Sequence, residues 1–474
     1  MVNLFKIFDL PRLLLLLLLT IAYAIFSDIA VFPMTSYELM NIVTSEHLSG
    51  GNVMYKDVFH WTEPLTVWVN YFFFQLFGRE VLYYRIVALI VVFFQALLWN
   101  QTLNEKGCYD QRSSLPALIY LGFCLLFPDM ISLSAVVLGN TFLLLTFYFM
   151  ISYIKDNDRQ QTLFWIGWNA SIAFLFYAPY ILLLPGVLLV LALYSPVDAR
   201  KIVTVLYAFV LPLILVWVYY FMNDASVFYI QFFLQRVFSF EANHYLSFQH
   251  LLWIVAIPLF WLLIGFIAIV RATSFVNYQY RVIQSLFLLF VFSLLSFLLV
   301  KERSVFTIWQ IVPYTSAIAT YFLLLQKRRW FADVVLIASL ATLIFVRIEL
   351  KKDVEQDTTG KESRLSVKFD NAHFSSLPNA HSVLVLDNNI SAYSKYKLST
   401  PFLNWNLTEN YFMDIDGYEA VALLDRYFTK EQPDVIIDPN GVLPKTFYRL
   451  PLLANKYVER EKGFYVLKRV VNPR

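Results

Sequence analysis

The sequence predicts an all-α polytopic membrane protein of about eleven transmembrane helices, followed by a small α/β domain outside the membrane. Of the 474 residues, 59% are hydrophobic and only 15% are charged, whereas a soluble protein carries roughly 25% charged residues. Long apolar runs recur along the chain, and a helix satisfies all of its backbone polar groups within lipid. After Arg347 the composition becomes charged and polar, which indicates a separate domain.

The apolar runs mark the transmembrane domain, which we place at residues 1–347. The predicted crossings are 11–31, 81–100, 114–128, 131–154, 163–180, 181–195, 202–222, 249–270, 281–300, 304–325 and 330–347. The first run ends without a small-residue cleavage site, so we interpret it as a retained helix and not as a signal peptide.

Lysine and arginine residues predict the orientation. They cluster at alternate ends of the crossings, among them Lys6, Arg12, Lys106, Arg112, Arg200, Lys201, Lys327, Arg328 and Arg329. Because positive residues accumulate on the cytoplasmic side, we expect a cytoplasmic N-terminus, with the first loop and the C-terminal domain outside. In a bacterium this topology corresponds to the inner membrane and the periplasm.

The first loop, residues 35–80, is too polar to lie in hydrocarbon. Residues 36–48 place apolar side chains along one helical stripe, and Gly50 and Gly51 end that helix. Residues 65–77 are apolar and aromatic but too short for a span, so we predict a second interfacial helix that ends at Gly78. The alternative is that the loop is an amphipathic connector without a functional site.

The tail is predicted as a hydrophilic linker, 348–376, and an α/β domain, 377–474. Apolar runs closed by turn residues predict strands at 381–387, 433–438 and 463–470, with a helix at 417–428. A glycine-rich phosphate loop is absent from this sequence, so a nucleotide site is not supported.

Glu38 and Asp57 are the candidate catalytic residues, because they flank the double glycine of the first loop. Two carboxylates at a membrane surface can hold an acceptor hydroxyl or amine and take its proton. Alternatively, they can bind a divalent cation that shields a phosphate leaving group, so a metal cofactor stays open. The competing interpretations are a solvated helix residue for Glu38 and a turn or cap residue for Asp57.

Other polar residues near the predicted outer surface are candidates for substrate binding: His60, Glu63, Arg85, Arg236, His244, Lys301 and Arg303. Cations at outer helix ends suit a lipid-linked phosphate, but they also serve as snorkelling anchors. His60 and Glu63 suit a pocket or the headgroup level equally. Arg85 starts an apolar run, where a cation is paired or functional. It could contact a lipid phosphate, or alternatively form a salt bridge with Asp57 or Glu80. The net charge of +3 does not indicate a nucleic-acid partner.

The first loop carries an ordered set of motifs: Gly50-Gly51, Tyr55-Lys56-Asp57, Pro64-Leu65, Leu76-Phe77-Gly78 and Arg85. This set resembles the GT-C superfamily of integral-membrane glycosyltransferases, in particular the bacterial relatives of protein O-mannosyltransferases and of the aminoarabinose transferase of lipid A. The resemblance implies sugar transfer from a polyprenyl-phosphate donor to an extracytoplasmic glycan, lipid or protein. It also adds Tyr55 to the substrate-binding candidates.

Two positions depart from the family pattern. The usual Asp-Glu pair before the double glycine is replaced by Ser36-Tyr37, with Glu38 one place later. Near the tenth crossing, Phe306-Thr307 stand where the family often has His-Tyr, although Gln310 and Pro313 remain. The alternative function is therefore a catalytically inactive GT-C-like subunit or scaffold of a cell-envelope complex. A transporter is disfavoured, because charged residues do not recur within the predicted spans.

Overall fold

A computed structural model describes residues 2–26, 29, 34–125, 131–156, 160–195, 198–238, 243–244, 248–272, 275–299, 302–303, 305–326, 328–356 and 380–471. The chain divides into two compact units. The first comprises Met1–Phe32, Glu80–Val216 and Ser239–Asp357, and the second comprises Pro33–Arg79, Trp217–Phe238 and Thr358–Arg474.

Helices account for most of the described chain. They are α1 (Val2–Phe5), α2 (Leu10–Phe26), α3 (Ser36–Ser49), α4 (Pro64–Phe77), α5 (Val81–Glu105), α6 (Leu115–Cys124), α7 (Ala135–Asp156), α8 (Gln160–Phe176), α9 (Leu183–Tyr194), α10 (Ala199–Met222), α11 (Ser226–Phe238), α12 (Phe248–Arg271), α13 (Asn277–Leu299), α14 (Val312–Leu325), α15 (Arg329–Gln356), α16 (Trp405–Met413), α17 (Tyr418–Lys430), α18 (Leu443–Arg449), α19 (Pro451–Ala454) and α20 (Lys468–Val471). Short 3-10 helices cover Ala178–Leu182, Val305–Ile311 and Ser391–Ser394.

The described strands form two sheets. They are β1 (Asn243–His244), β2 (Glu302–Arg303), β3 (Ser382–Val385), β4 (Lys397–Leu398), β5 (Val435–Ile437), β6 (Tyr457–Glu461) and β7 (Phe464–Leu467). Strands β1 and β2 pair in parallel, and the other five form a sheet of order β4-β3-β5-β7-β6.

Long apolar helices make this an integral membrane protein. Within the described ranges, five helices are long and apolar enough to span a bilayer: Val81–Glu105, Ala135–Lys155, Ala199–Met222, Asn277–Leu298 and Thr307–Leu325. Shorter apolar helices lie at Leu10–Phe26, Leu115–Cys124, Ala178–Tyr194, Val255–Arg271 and Trp330–Ser339. Each of the eleven predicted crossings overlaps a helix, while the number of actual crossings stays a prediction.

An uncharged polar network ties α5, α6 and α7 together inside the first unit. Gln95 donates a hydrogen bond of 2.8 Å to Thr141, and the Tyr120 hydroxyl donates one of 2.8 Å to Gln95. Asn140 in turn donates to the Tyr120 hydroxyl at 2.7 Å. Such side-chain bonds stabilise helix association in lipid, where burial of apolar surface between helices gives little driving force.

Gln310 fixes the 3-10 helix that precedes α14. The Ser293 hydroxyl donates to the Gln310 carbonyl at 2.5 Å, and the Ser296 hydroxyl donates to its side-chain oxygen at 2.6 Å. Both serines lie on α13, so Gln310 joins α13 to the segment that follows β2. Gln310, which matches the family pattern near the tenth predicted crossing, therefore has a role in packing.

The C-terminal residues form the mixed sheet and the helices around it. Strand β3 is parallel to β4 and β5, whereas β7 is antiparallel to β5 and β6. The three predicted strands are observed as β3, β5 and β7. Strands β4 and β6 were not predicted, because β4 has two residues and β6 carries charges on an exposed edge (Glu459, Arg460 and Glu461), as edge strands often do.

The first loop shares a hydrophobic core with the C-terminal residues. Leu39 and Val43 of α3, together with Val58, lie in one buried cluster with Val383 of β3 and Val435 of β5. The sequence placed this loop with the transmembrane helices, and the contacts group it instead with residues 380–471. Of the predicted linker, residues 348–356 continue α15 and 357–376 lie outside the described residues. The domain boundaries themselves stay a prediction.

Arg79, which follows α4, contacts both a carboxylate and backbone carbonyls of the second unit. Its guanidinium forms an ion pair with Glu46 of α3. It also donates to the carbonyls of Tyr393 (3.2 Å), Ser394 (3.1 Å) and Tyr396 (3.4 Å), at the end of a 3-10 helix. A planar fork with five donors suits this set of acceptors, which a lysine ammonium does not reproduce.

We expect Arg79→Ala to destabilise the second unit by about 1–3 kcal/mol, because the carbonyls and Glu46 lose a charged donor. Limited proteolysis of the full chain in nanodiscs will measure this as several-fold faster cleavage within residues 380–471. Arg79→Lys is expected to restore little of the protection, and the exposed Arg460→Ala is the matched control. Equal cleavage of Arg79→Ala and wild type would contradict the assignment.

Candidate functional site

Glu38 lies in the first turn of helix α3 as part of a capping box. Its carboxylate accepts hydrogen bonds from the Thr35 backbone N–H (2.9 Å) and hydroxyl (3.1 Å), and the Thr35 side chain accepts from the Glu38 N–H (3.2 Å). This reciprocal arrangement satisfies helix donors, and a carboxylate there is favoured by the helix dipole. Glu38 is also buried, so its carboxylate has a structural role as the partner of Thr35 at the N-terminus of α3.

Asp57 lies in a tight turn after the double glycine. Its N–H donates to the Val53 carbonyl (2.8 Å), and its Oδ2 accepts from the Val53 N–H (2.9 Å). Tyr55, between them, donates its N–H to the Val58 carbonyl and has φ of +68°. A tyrosine in the left-handed region carries backbone strain, which persists only where the surroundings fix it and which concentrates at functional sites.

The side chain of Tyr55 supplies the contacts that hold this turn. Its ring is buried against Tyr220 and Tyr229, with centroid distances of 5.3 and 5.7 Å. Its hydroxyl donates to the Thr62 carbonyl at 2.8 Å. The predicted substrate-binding tyrosine therefore anchors the turn that orients Asp57.

Lys430, at the end of α17, forms an ion pair with Asp57 at 3.0 Å between Nζ and Oδ1. Burial alone raises the pKa of Asp57. The hydrogen bond from Val53 and the Lys430 ammonium, aided by the charge of Lys56, outweigh it and hold the pKa of Asp57 below its usual value. Asp57 is therefore an ionised, half-buried carboxylate with both oxygens engaged.

Three further titratable groups surround Asp57. Burial lowers the pKa of His47, although a backbone hydrogen bond with Leu398 and the charge of Asp57 act in the opposite direction. Burial, with the charge of Asp57, raises the pKa of Tyr427 to about 12. Burial likewise raises the pKa of Glu431, helped by Asp57. The carboxylate thus lies in a cluster built from both the first loop and α17.

His60 and Glu63 lie on the segment that joins the Asp57 turn to α4. The Thr62 hydroxyl donates to Asn41 of α3 at 3.4 Å, and His60 Nε2 lies 3.4 Å from the sulfur of Met40. Glu63 is fully buried at the position that caps α4. His60 therefore lies beside Met40 of α3, and Glu63 lies at the beginning of α4. The described partners of Asp57 are different residues, so the predicted pairing of two acids stays a prediction.

The predicted cations occupy several places. Arg85 is buried in α5 of the first unit and donates to the Ile29 carbonyl at 2.8 Å. Arg236 lies in α11, and Lys301 lies outside the described residues. His244 and Arg303 are direct partners in the register of β1 and β2, so the backbone brings these two candidates side by side.

A metal site is not formed by the described side chains. Within the described ranges, no group of three or more His, Cys, Asp or Glu residues is arranged so that it could hold a metal ion. Both carboxylate oxygens of Asp57 accept hydrogen bonds, from the Val53 N–H and from the Lys430 ammonium, so a divalent cation at this carboxylate would have to replace the ammonium. A divalent cation at Asp57 stays a prediction.

Sequence reasoning missed two important residues of this site. Thr35 with Glu38 is a Thr-x-x-Glu capping box, a local signature that was readable in the sequence. Lys430 has no such signal, because it contacts Asp57 across 373 residues of chain.

Comparison with known proteins resolves the fold. No protein-family model and no curated protein matches the chain. The solved structure of ArnT from Cupriavidus metallidurans bound to undecaprenyl phosphate superposes with a TM-score of 0.55 at 14% identity, covering 96% of this chain and 98% of that one. The fold is GT-C-like. An oligosaccharyltransferase from Archaeoglobus fulgidus in the apo form gives a TM-score of 0.53 at 10% identity, covering 94% of this chain and 72% of that one. The resemblance drawn from the first loop is confirmed at the level of the GT-C fold.

We expect acid to loosen the first loop in two steps. His47 has a lowered pKa in the folded chain, so its contribution to stability is complete above the ordinary value of 6.5 and declines as pH falls below it. Asp57, also lowered, contributes fully above 3.8 and loses that contribution below it. Hydrogen exchange of residues 34–61 in nanodiscs, corrected for intrinsic rates, should show several-fold faster opening at about pH 5.5 than at about pH 7.5. His47→Gln should abolish the first step, and a difference that persists in this variant would contradict the assignment.

Proposed function

We propose that this protein transfers a sugar from a polyprenyl-phosphate donor to an acceptor on the non-cytoplasmic side of the membrane. The observation that carries the proposal is an ionised Asp57, fixed by a strained turn in the first loop of a GT-C-like fold. The likeness to ArnT, which was solved bound to undecaprenyl phosphate, supports a lipid-linked donor.

The chemistry is a displacement at the anomeric carbon of the donor sugar. The acceptor hydroxyl or amine forms the new bond to that carbon, while the bond to the phosphate oxygen breaks. The phosphate leaves with its lipid and takes up the proton that the acceptor releases. Because the pKa of Asp57 is lowered, its carboxylate is a weak proton acceptor at neutral pH. Its strongest contribution is to accept a hydrogen bond from the acceptor O–H or N–H and so to orient the acceptor's lone pair toward the anomeric carbon. The displacement inverts the configuration of that carbon.

The remaining candidates are assigned by charge and position. Glu38, held by Thr35, is the supporting acid at the start of α3. Tyr55, His60 and Glu63 are proposed to shape the acceptor side. The phosphate of the donor is proposed to contact the cationic candidates, which are Arg85, Arg236, His244, Lys301 and Arg303. Adjacent positions of His244 and Arg303 in β1 and β2 support this assignment for those two residues.

The location follows from the sequence. We propose the inner membrane of a bacterium, a cytoplasmic N-terminus, and a first loop and C-terminal α/β domain that face the periplasm. The acceptor is then a glycan, a lipid or a protein of the envelope, and other envelope proteins are candidate partners.

A second function is an inactive GT-C-like subunit or scaffold. One observation favours it: Glu38 closes a capping box and Asp57 forms an ion pair with Lys430, so both acids have structural contacts. The two functions differ in whether the charge of Asp57 matters when the fold is intact.

The test is a transfer assay with the full chain in nanodiscs. The donor is a pool of polyprenyl-phosphate sugars, and the acceptor is envelope material from a strain that lacks this protein. Mass spectrometry should detect a new glycoconjugate that depends on both chain and donor. Unchanged envelope glycans in the deletion strain, together with no product in vitro, would favour the scaffold.

A further inference from the structure

We propose that Lys430 is a positioning residue for Asp57, so that the C-terminal α/β residues complete the candidate site. The inference deepens the proposed function and rests on it for the catalytic role of Asp57. Lys430 lies at the end of α17, far along the chain from the GT-C-like motif residues of the first loop. Its ammonium fixes the orientation and the charge of the carboxylate.

The two oxygens of Asp57 are held from two sides. Oδ2 accepts from the Val53 N–H at 2.9 Å within the turn, and Oδ1 accepts from Lys430 Nζ at 3.0 Å. With both oxygens held, the carboxylate plane has one orientation. An acceptor hydroxyl that approaches the remaining lone pairs therefore meets a fixed charge.

Tyr427 holds helix α17 against the first loop. The Tyr427 hydroxyl donates to the carbonyl of Lys56, the residue before Asp57, at 2.5 Å. Its ring packs edge-on against Phe59 and Phe402, each at 5.8 Å between centroids. Lys430 is three residues further along the helix, on the same face. The anchored helix thus delivers the ammonium to the carboxylate.

The ion pair is a poor candidate for a purely stabilising contact. Lys430 is 53% exposed, and ion pairs with solvent-exposed partners contribute little to stability. Removing the ammonium should therefore leave the fold intact and act on the carboxylate. Among the residues that the structure describes, the groups that act on Asp57 are then Lys56, His47, Tyr427 and Glu431, and of these Lys56 carries the positive charge.

Chemical labelling tests the pairing without any assumption about activity. Acetic anhydride acetylates a lysine amine more slowly when an ion pair holds that amine against a carboxylate, as Asp57 holds Lys430. In the full chain in nanodiscs, Asp57→Asn should raise the acetylation rate of Lys430 several-fold, as measured by quantitative mass spectrometry. The exposed Lys445 is the internal control and should not change.

The pH profile of transfer tests the positioning role. Lys430→Met should lower kcat by about tenfold, leave KM for the donor unchanged and move the acid limb of kcat to higher pH, because Asp57 loses its partner. Lys430→Arg should restore both, and Lys445→Met should match wild type. A loss of folding alone would lower the amount of active protein without moving the acid limb.

Three results would overturn the inference. They are an unchanged Lys430 acetylation rate in Asp57→Asn, an unchanged acid limb in Lys430→Met, and faster transfer by Lys430→Met, which would show that the ammonium blocks the carboxylate. If wild type transfers no sugar, the proposed function fails, and the labelling experiment alone decides whether Lys430 holds Asp57.

Discussion

Asp57→Asn is expected to lower kcat/KM for sugar transfer by about 10²- to 10³-fold, the loss typical of removing one preorganised charged or hydrogen-bonding group from a transition state. Asparagine keeps the size of the side chain, and its oxygen can still accept from the Val53 N–H. It lacks the negative charge that Lys430 holds in place and that orients the acceptor. Initial rates in nanodiscs, with equal amounts of folded chain, measure the effect.

The matched control is Asp425→Asn, an exposed aspartate on the same helix as Lys430. Glu38→Gln is a useful companion, because glutamine also closes a capping box. A loss of activity with α3 intact would therefore assign a chemical role to the charge of Glu38. If Asp57→Asn retains more than about half of the wild-type rate, the carboxylate is structural and the scaffold function is favoured.

The helices of the first loop could be predicted because their boundaries depend on local chemistry. The double glycine ends α3 after Ser49, and Gly51 has φ of +84°. Gly78, with φ of +59°, ends α4 after Phe77. Both predicted helices match the observed ones to within about one residue, since a helix ends where the backbone must leave the right-handed region.

The surroundings of Asp57 could not be predicted, because they come from distant parts of the chain. Val53 is local, but Lys430 and Tyr427 reach the turn from a helix near the C-terminus. Positive φ at Tyr55 has no sequence signal, since tyrosine is not a residue that favours it. The sequence therefore predicts Asp57 as a candidate but does not predict the contacts that hold its charge.

The cationic candidates could likewise be selected from the sequence, whereas their neighbours in the structure could not be predicted. His244 and Arg303 were selected separately as polar residues near the outer surface. Their adjacency depends on a two-residue parallel pairing of β1 and β2, which is too short to leave a pattern in the sequence. Arg85 was selected because a cation in an apolar run needs a partner, and the Ile29 carbonyl is one partner that the sequence could not name.

Gly167→Ala is expected to have the largest effect on stability. In α8 an added Cβ at this position would lie 2.1 Å from the Val205 carbonyl oxygen of α10 and 3.0 Å from the Ala208 Cβ. A backbone carbonyl cannot rotate away, so the two helices must separate. Alanine gains about 1 kcal/mol in helix propensity, but overpacking costs roughly 1–3 kcal/mol or more. The clash therefore decides the sign, as expected where small residues let helices approach closely in lipid.

Thermal unfolding of the purified full chain in detergent, followed by size-exclusion chromatography, measures the loss for Gly167→Ala. We expect a decrease in Tm of several degrees and a lower yield of monodisperse protein. Gly417→Ala is the control, because its added Cβ meets nothing nearer than the Asp414 carbonyl at 3.8 Å. Equal stability of Gly167→Ala and wild type would mean that α8 and α10 do not pack this closely. In that case the packing of the first unit would depend on contacts such as the polar network between α5, α6 and α7, and not on a close approach of α8 to α10.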